Sequence, residues 1–428
     1  MNRLLGPEAV DLEASEMGIR SAMHRLGGTL LEKVLNADGG GYSGKDVACS
    51  QGHPARFVDT RVKEVVTVLG RVEVQRAYYH CRVCAAGVIP KDEVLDLEGT
   101  RFSPGVRRMM SRVGSKESFE EGRKDLEELA DVVVTAKQVE RISEQTGAEA
   151  QQLFDSPPAR SADTVVPFQP AVKLYIAYDG TGVPVVRRET EGRASKQDNG
   201  QAKTREAKVG CVFTQTKVDA EGYPVRDEGS TSYVGAIETA DAFGPRIYAE
   251  ARRRGLDHAQ SVIVLGDGAR WIWNLAEEHF PDAIQIVDLY HARQHLAELA
   301  KLVDGPSGAE WKSWAEARYP ELDQGKVEFV VGALMRLKCG KSEVQHAIEK
   351  ATGYFQNNAE RMRYAEFRHQ GLFVGSGVVE AGCKTLVGLR LKQSGMHWTI
   401  RGANAILALR CLDLSGRWED FWESRTAS

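Results

Sequence analysis

Leu174-Tyr-Ile-Ala-Tyr-Asp-Gly-Thr-Gly182 is an apolar run that breaks at an acid and then at a glycine turn. Its length and composition predict a buried strand that delivers Asp179 at or near its end. Val262-Ile-Val-Leu-Gly-Asp-Gly-Ala269 repeats the shape around Asp267. A third stretch, Gly375-Ser-Gly-Val-Val-Glu-Ala-Gly-Cys-Lys384, is a glycine-rich entry into a helical pattern that carries Glu380. Two strand-end aspartates and a later helical glutamate are the donors a two-metal phosphoryl-transfer site needs. Hard cations such as Mg²⁺ take oxygen ligands and keep positions open for phosphate and water. Each Asp-Gly alone also reads as an ordinary turn, because both residues tolerate turn geometry. Two such ends within one α/β pattern shift that balance toward a site.

Around these acids the pattern predicts strands at 172–178, 209–217, 230–238, 262–266 and 284–287, with helices at 241–254, 270–279 and 289–302. The order opens with a meander and then alternates, which implies a mixed sheet covered by helices. Residues 303–370 are helical and rich in Trp, Arg and Lys, and read as an insertion. The tail over 378–424 returns to helix, so the α/β core divides into 170–302 and 371–424. Upstream, 8–36 carries helical periodicity within a segment spanning 1–44. Residues 55–80 alternate as a hairpin that turns at Leu69-Gly70-Arg71, within a module spanning 45–98. Residues 103–154 return to helix in a region spanning 99–157, with Pro104 suited to a first turn and a break expected near Gly147. Pro- and Ser-rich sequence predicts a linker at 157–170.

Cys49 and His53 precede the hairpin, and Cys81 and Cys84 follow it. Cys-x3-His, 27 residues and Cys-x2-Cys bring two short-spaced pairs of soft ligands together, as a tetrahedral structural Zn²⁺ site in a zinc-ribbon-like hairpin requires. His80 is the competing imidazole, and a redox pair the competing use of Cys-x2-Cys. The helical pair over 115–150 is compatible with helix-turn-helix, whose second helix would offer Lys137, Gln138 and Arg141 to a DNA groove. An ordinary helical hairpin fits the same spacing. Lys203 and Arg205 close a polar stretch between the first two core strands. Lys384, Arg390, Lys392 and Trp398 follow Glu380, where cations suit a phosphate-rich substrate and a Trp can stack a flipped base. Asp288, His291 and His295 could share a helix face as an accessory metal cluster; a helix-capping Asp with two histidines is the plainer reading.

The chain has 428 residues, 42% of them hydrophobic, and a net charge of −4, so nucleic-acid binding would rest on local basic patches. Seven cysteines in an odd count favour reduced thiols. No apolar stretch is long enough to span a bilayer, and a soluble, intracellular protein without a membrane partner is expected.

Tyr178-Asp-Gly-Thr, Thr204-Arg-Glu-Ala-Lys-Val-Gly, Gly266-Asp-Gly-Ala, Asp288-Leu-Tyr-His, the Gly375–Lys384 stretch and Arg390-Leu-Lys-Gln-Ser-Gly-Met-His-Trp occur in that order over about 170–410. In this order they resemble the DDE transposases of the ISKra group of bacterial insertion sequences. The resemblance implies a ribonuclease-H-like catalytic core with a helical insertion before the glutamate, and Asp179, Asp267 and Glu380 as the metal triad. It implies two Mg²⁺ (or Mn²⁺) as cofactors beside the structural Zn²⁺, and transposon ends and target DNA, both double-stranded, as partners. A homodimer or higher oligomer on DNA, in the bacterial cytoplasm at the nucleoid, is the matching expectation. Asp288-x2-His291 resembles an element that recurs in several transposase groups with such insertions. A ribonuclease-H-like structure-selective nuclease without strand transfer, and a non-catalytic zinc-containing DNA-binding regulator, are the alternative readings.

Overall fold

The computed structural model describes residues 11–155, 172–193, 202–304, 309–337 and 342–426. The expected linker at 157–170 lies outside the described residues. The chain packs as two units, Met1–Thr146 and Gly147–Ser428. No helix among the described residues is long and apolar enough to cross a membrane.

In the first unit, α1 (Leu12–Asn36) starts at Asp11, whose carboxylate accepts the Ala14 amide. Strands β1 (Asp46–Ala48), β2 (Pro54–Thr67), β3 (Gly70–Cys81) and β4 (Ala86–Val88) form an antiparallel sheet in sequence order. The β2–β3 hairpin turns at Gly70, whose φ of +106° only glycine adopts readily. After α2 (Pro90–Val94) come α3 (Pro104–Lys116), α4 (Phe119–Ala130) and the start of α5 (Ala136–Asp155), whose residues from Gly147 onward belong to the second unit. Pro104 occupies the first turn of α3 behind a Ser103 cap. Val66, Phe102, Val106, Met110, Leu126, Val139 and Ile142 close the core beneath these helices. The apolar residues that give α1 its periodicity do not all enter a core: Leu12, Ile19, Met23, Leu26 and Leu30 are each more than half exposed.

The second unit is built on a mixed sheet of β5 (Lys173–Pro184), β6 (Thr204–Gln215), β9 (Ser232–Ala236), β10 (Ser261–Gly266) and β11 (Ile284–Val287). A small ribbon of β7 (Lys217–Val218) and β8 (Pro224–Val225) interrupts the meander. The sheet order is β11-β10-β5-β6-β9. Strands β5, β6 and β9 are antiparallel neighbours, whereas β10 and β11 run parallel to β5. Parallel neighbours need crossovers, and α6 (Ala240–Arg253) and α7 (Arg270–His279) supply them. Next come α8 (Leu289–Asp304) and the helical insertion: α9 (Ala309–Glu316), α10 (Tyr319–Asp323), α11 (Val327–Arg336), α12 (Ser342–Asn357) and α13 (Tyr364–His369). The chain then returns through α14 (Gly377–Gly382), a π-helical turn at Cys383–Gly388, α15 (Leu389–Leu391), α16 (Ile400–Leu414) and α17 (Trp418–Thr426).

The structure corrects three readings. The tail is not one helical run: between α15 and α16 the chain extends, and Trp398 bridges to Val185 beyond the end of β5. Asp179 does not close its strand, because β5 continues to Pro184 along β6; only on the β10 side does the ladder stop before it. The break expected at Gly147 is absent, and α5 continues to Asp155. Gly147 is there for close approach: a Cβ would lie 2.2 Å from the Ala405 carbonyl oxygen. Because that obstacle is backbone, it cannot rotate away. Gly147→Ala is therefore expected to destabilise the second unit by roughly 3 kcal/mol. Gly353→Ala, where a Cβ meets nothing within 4 Å, should leave the thermal midpoint level or raise it slightly. Thermal unfolding of both variants checks the contrast.

Candidate metal centres

In the first unit, two tight turns present sulfur and nitrogen to one point. Cys49 follows β1, and its amide donates to the His53 carbonyl at 2.9 Å across a turn completed by Gly52. Cys81 ends β3, and the Cys84 amide donates back to its Sγ at 3.4 Å. Cys49 Sγ lies 3.7 Å from Cys84 Sγ, and His53 Nδ1 lies 3.2 Å from the same sulfur. The four donor atoms all fall within 4.8 Å of one another. Tetrahedral Zn–S bonds of about 2.3 Å place sulfurs roughly 3.7 Å apart, so the spacing fits that ion. His53, not the competing His80, belongs to this group. The thiols are split: the Gln51 amide and its neighbours bring Cys49 down to about 7. Burial, followed by the adjoining sulfurs, pushes Cys84 up to about 11.

In the second unit, strand register sets the acids. Leu265 pairs with Ala177, and Gly266 pairs with Val287. Continued along the chain, the same register brings Asp267 level with Asp179 on one side and with Asp288 on the other. Parallel neighbours lie about 4.8 Å apart, so three carboxylates leave adjacent strands at one height. Asp179 is half-buried and accepts its neighbour Gly180's amide at 2.7 Å. Burial pushes its carboxyl above the usual carboxylate range, against hydrogen bonds from the Cys383 thiol and the Gly180 amide; the nearby Asp267 charge raises it further. Asp267 Oδ1 accepts the Ala269 amide at 2.8 Å. Its main-chain carbonyl accepts the Tyr354 hydroxyl from α12 at 3.0 Å. The Tyr354 ring covers Gly268, where a Cβ would lie 2.5 Å from it, and lies 4.0 Å from the His295 ring. The insertion thus packs directly on the turn that carries Asp267.

Asp288 is fully buried. Its Oδ1 accepts the His291 amide at 2.8 Å, capping α8, and its Oδ2 accepts the Ser376 amide at the start of α14. That pin holds the helix bearing Glu380 against the C-terminal end of β11. Glu380 Oε1 lies 3.8 Å from His291 Nδ1. Among the described residues, Asp288, His291 and Glu380 share the 4.8 Å spacing that one cation needs. Asp179 and Asp267 are not part of that group. Cys383, one turn after Glu380, lies in the π-helical segment, a wide turn common near functional sites. The Asp179–Cys383 contact and the Tyr354–Asp267 contact had no periodicity to announce them; Cys383 stood in the quoted motif without a role.

The basic candidates separate by exposure. In the first unit, Lys137 is 80% exposed with Glu140 2.7 Å away, and Arg141 is exposed. Gln138 is turned inward on its own helix: its side chain accepts the Thr135 amide at 2.9 Å while its amide donates to Thr135 Oγ1. In the second unit, Lys203 and Lys384 are exposed, Arg205 donates to the Glu189 carbonyl at 3.2 Å, and Lys392 Nζ donates to Thr181 Oγ1 at 2.6 Å. Arg390 and Trp398 do not offer themselves to a strand in this structure. Arg390 is fully buried with its guanidinium 4.9 Å above the Trp398 ring, and the Trp398 indole donates to the Leu391 carbonyl. Stacking on an indole makes a buried arginine tolerable, and the pair supports the extended segment beside β5.

Residues 250–424 match the model of a family described as Uncharacterised protein family (UPF0236). That span holds Asp267, Asp288, His291 and Glu380, but not Asp179. No curated protein matches the chain. Among solved structures, the chain is similar to one described as "Drosophila P element transposase strand transfer complex", at 10% identity and a TM-score of 0.23, over 74% of this chain and 80% of that one. Such a slight likeness carries no residue roles across.

Asp288→Ala removes two acceptors and strands the buried Ser376 amide, so it should cost about 3 kcal/mol of stability. Asp288→Asn keeps one acceptor oxygen and should cost about half as much. Thermal melts of the two variants test the ranking; equal, small losses would show that the pin contributes little.

Proposed function

We propose that the chain is a DDE transposase: it binds the ends of an insertion sequence and catalyses metal-dependent strand cleavage and strand transfer on double-stranded DNA. The observation that carries the reading is the common level of Asp179 and Asp267 on adjacent parallel strands, with Glu380 brought in on a separate helix. The supporting frame is a sheet whose first three strands form an antiparallel meander and whose last two add in parallel beside the first. That order is the one expected of a ribonuclease-H-like core, and the helical insertion falls between the second aspartate and the glutamate.

The donor set is oxygen-rich, half-buried and open, which suits Mg²⁺ or Mn²⁺ held by Asp179, Asp267 and Glu380. When bound, two such cations activate the attacking oxygen and stabilise the leaving one in an in-line displacement. The remaining work falls to side chains. Asp179 and Asp267 hold oxygens at fixed height, because strand register and the Tyr354 bond leave their backbone little freedom. Lys392, anchored on Thr181, and the exposed Lys203 and Lys384 provide cations for the phosphate backbone. In the first unit, Lys137 and Arg141 are the side chains proposed to read the ends, and the Cys49–His53–Cys81–Cys84 group is proposed to hold one structural Zn²⁺ in a zinc-ribbon-like hairpin. Arg390, Trp398 and Gln138 are left out of the DNA contacts, given their internal partners. A homodimer or higher oligomer on the DNA belongs to the same proposal.

The test uses full-length protein, DNA carrying the native flanking ends, and Mg²⁺. Cleavage at the ends followed by joining to target DNA is expected. Asp179→Ala, Asp267→Ala and Glu380→Ala should each cut both steps by roughly a thousandfold or more while leaving end binding largely intact. Cleavage without joining would favour a structure-selective nuclease, and binding without either step a regulator. Changing Lys137 and Arg141 to Ala should lower discrimination between native and scrambled ends. Elemental analysis of protein purified without chelator should give about one equivalent of zinc per chain; less than half an equivalent would count against the site.

A further inference from the structure

Asp179 and Asp267 leave neighbouring strands and feel each other's charge. Glu380 also faces an imidazole: its Oε1 lies 3.8 Å from His291 Nδ1, and Asp288 completes a group within 4.8 Å. We propose that His291 and Glu380, backed by Asp288, form a mixed nitrogen-and-oxygen cation site that prefers Mn²⁺ to Mg²⁺. The proposal rests on the two-cation reading above and gives one cation an imidazole ligand.

Three features support it. The first is placement. His291 sits in the first turn of α8, where its amide is fixed by Asp288 Oδ1. The ring therefore projects from a pinned backbone. The second is access. His291 and Glu380 side chains are 30% and 37% exposed, so one side of the group opens to solvent, as an exchangeable site requires. The third is the chemistry of Asp288. Its two oxygens each accept one amide, yet a carboxylate has about four lone-pair positions, so the group keeps lone pairs to offer at the back of the site. Mg²⁺ demands near-octahedral oxygen and sheds water reluctantly, so it gains less from an imidazole than Mn²⁺, a larger first-row ion that shares its taste for carboxylates. A site with one nitrogen therefore ranks Mn²⁺ above Mg²⁺. The competing role is a plain His–Glu ion pair, which needs no metal and leaves no nitrogen on one.

The deciding experiment reads the ligand atom itself. Full-length protein holding one equivalent of zinc, with excess zinc removed, is titrated with Mn²⁺ alone, and electron spin-echo modulation from directly bound ¹⁴N is recorded. Zinc occupancy keeps His53 out of the signal. Wild type should show ¹⁴N modulation. His291→Ala and His291→Gln should lose it and bind Mn²⁺ about tenfold more weakly, and in both the preference over Mg²⁺ should disappear. His295→Ala should keep the nitrogen signal. Two variants guard against a folding artefact, since Gln keeps the polarity and much of the bulk. Modulation that persists in both His291 variants would overturn the proposal. Mn²⁺ bound through oxygen alone would also overturn it, but would leave the two-cation reading standing. Failure of wild type to bind Mn²⁺ at all would remove both.

Discussion

The second unit depends on one buried carboxylate. Asp288 has no exposure to water, and an isolated ionised carboxylate in that position would be costly. Amides from two different helices compensate it: His291 at the start of α8 and Ser376 at the start of α14. Helix N-termini favour negative charge, so each helix is drawn to the same group. The consequence reaches beyond stability. β11 ends at Val287, and the chain returns to the sheet at Ser376 after the whole helical insertion. The return is fixed by the Ser376 amide on Asp288, by the Leu289 amide on the Val374 carbonyl and by Gln215 on the Gly371 carbonyl, and these bonds set where the helix bearing Glu380 begins.

The insertion adds a second constraint. Tyr354 donates to the Asp267 carbonyl and covers Gly268, whose lack of a Cβ leaves room for the ring. Arg361 reaches β11 by donating to the Gln285 side chain at 2.7 Å and lies over Trp273 of α7. These contacts tie α12 and the turn after it to the two parallel strands. The insertion therefore bears on the acidic edge and is not an appendage of the sheet. On the opposite side, Glu206 closes over Gly180: a Cβ there would meet its carboxylate at 3.0 Å. Small residues beside Asp179 thus leave space that neighbouring polar groups use.

Much of this was legible in the sequence, because burial on both faces writes strands as apolar runs. β5, β10 and β11 were each readable from such a run, and the aspartates from the break that follows. The β2–β3 hairpin was readable from alternation and a glycine turn, and the cysteine–histidine spacing from its short pairs. What stayed hidden depends on contacts between distant residues. Gly147 looked like a helix breaker, yet it serves helix packing against Ala405. Arg390 and Trp398 looked like DNA contacts on polarity alone, and only tertiary structure reveals that they stack on each other. The α1 periodicity correctly marked a helix but could not say that its apolar row stays exposed. Register was equally unreadable: the common level of Asp179, Asp267 and Asp288 follows from which strands pair and where.

The central claim is that Asp179 and Asp267 share a divalent cation at the edge of this sheet. Anomalous diffraction from crystals of the full chain soaked in Mn²⁺ measures it most directly. The claim predicts a manganese peak within about 2.3 Å of an oxygen from each of the two carboxylates. Manganese found elsewhere, with the two aspartates hydrogen-bonded only to protein and water, would contradict it.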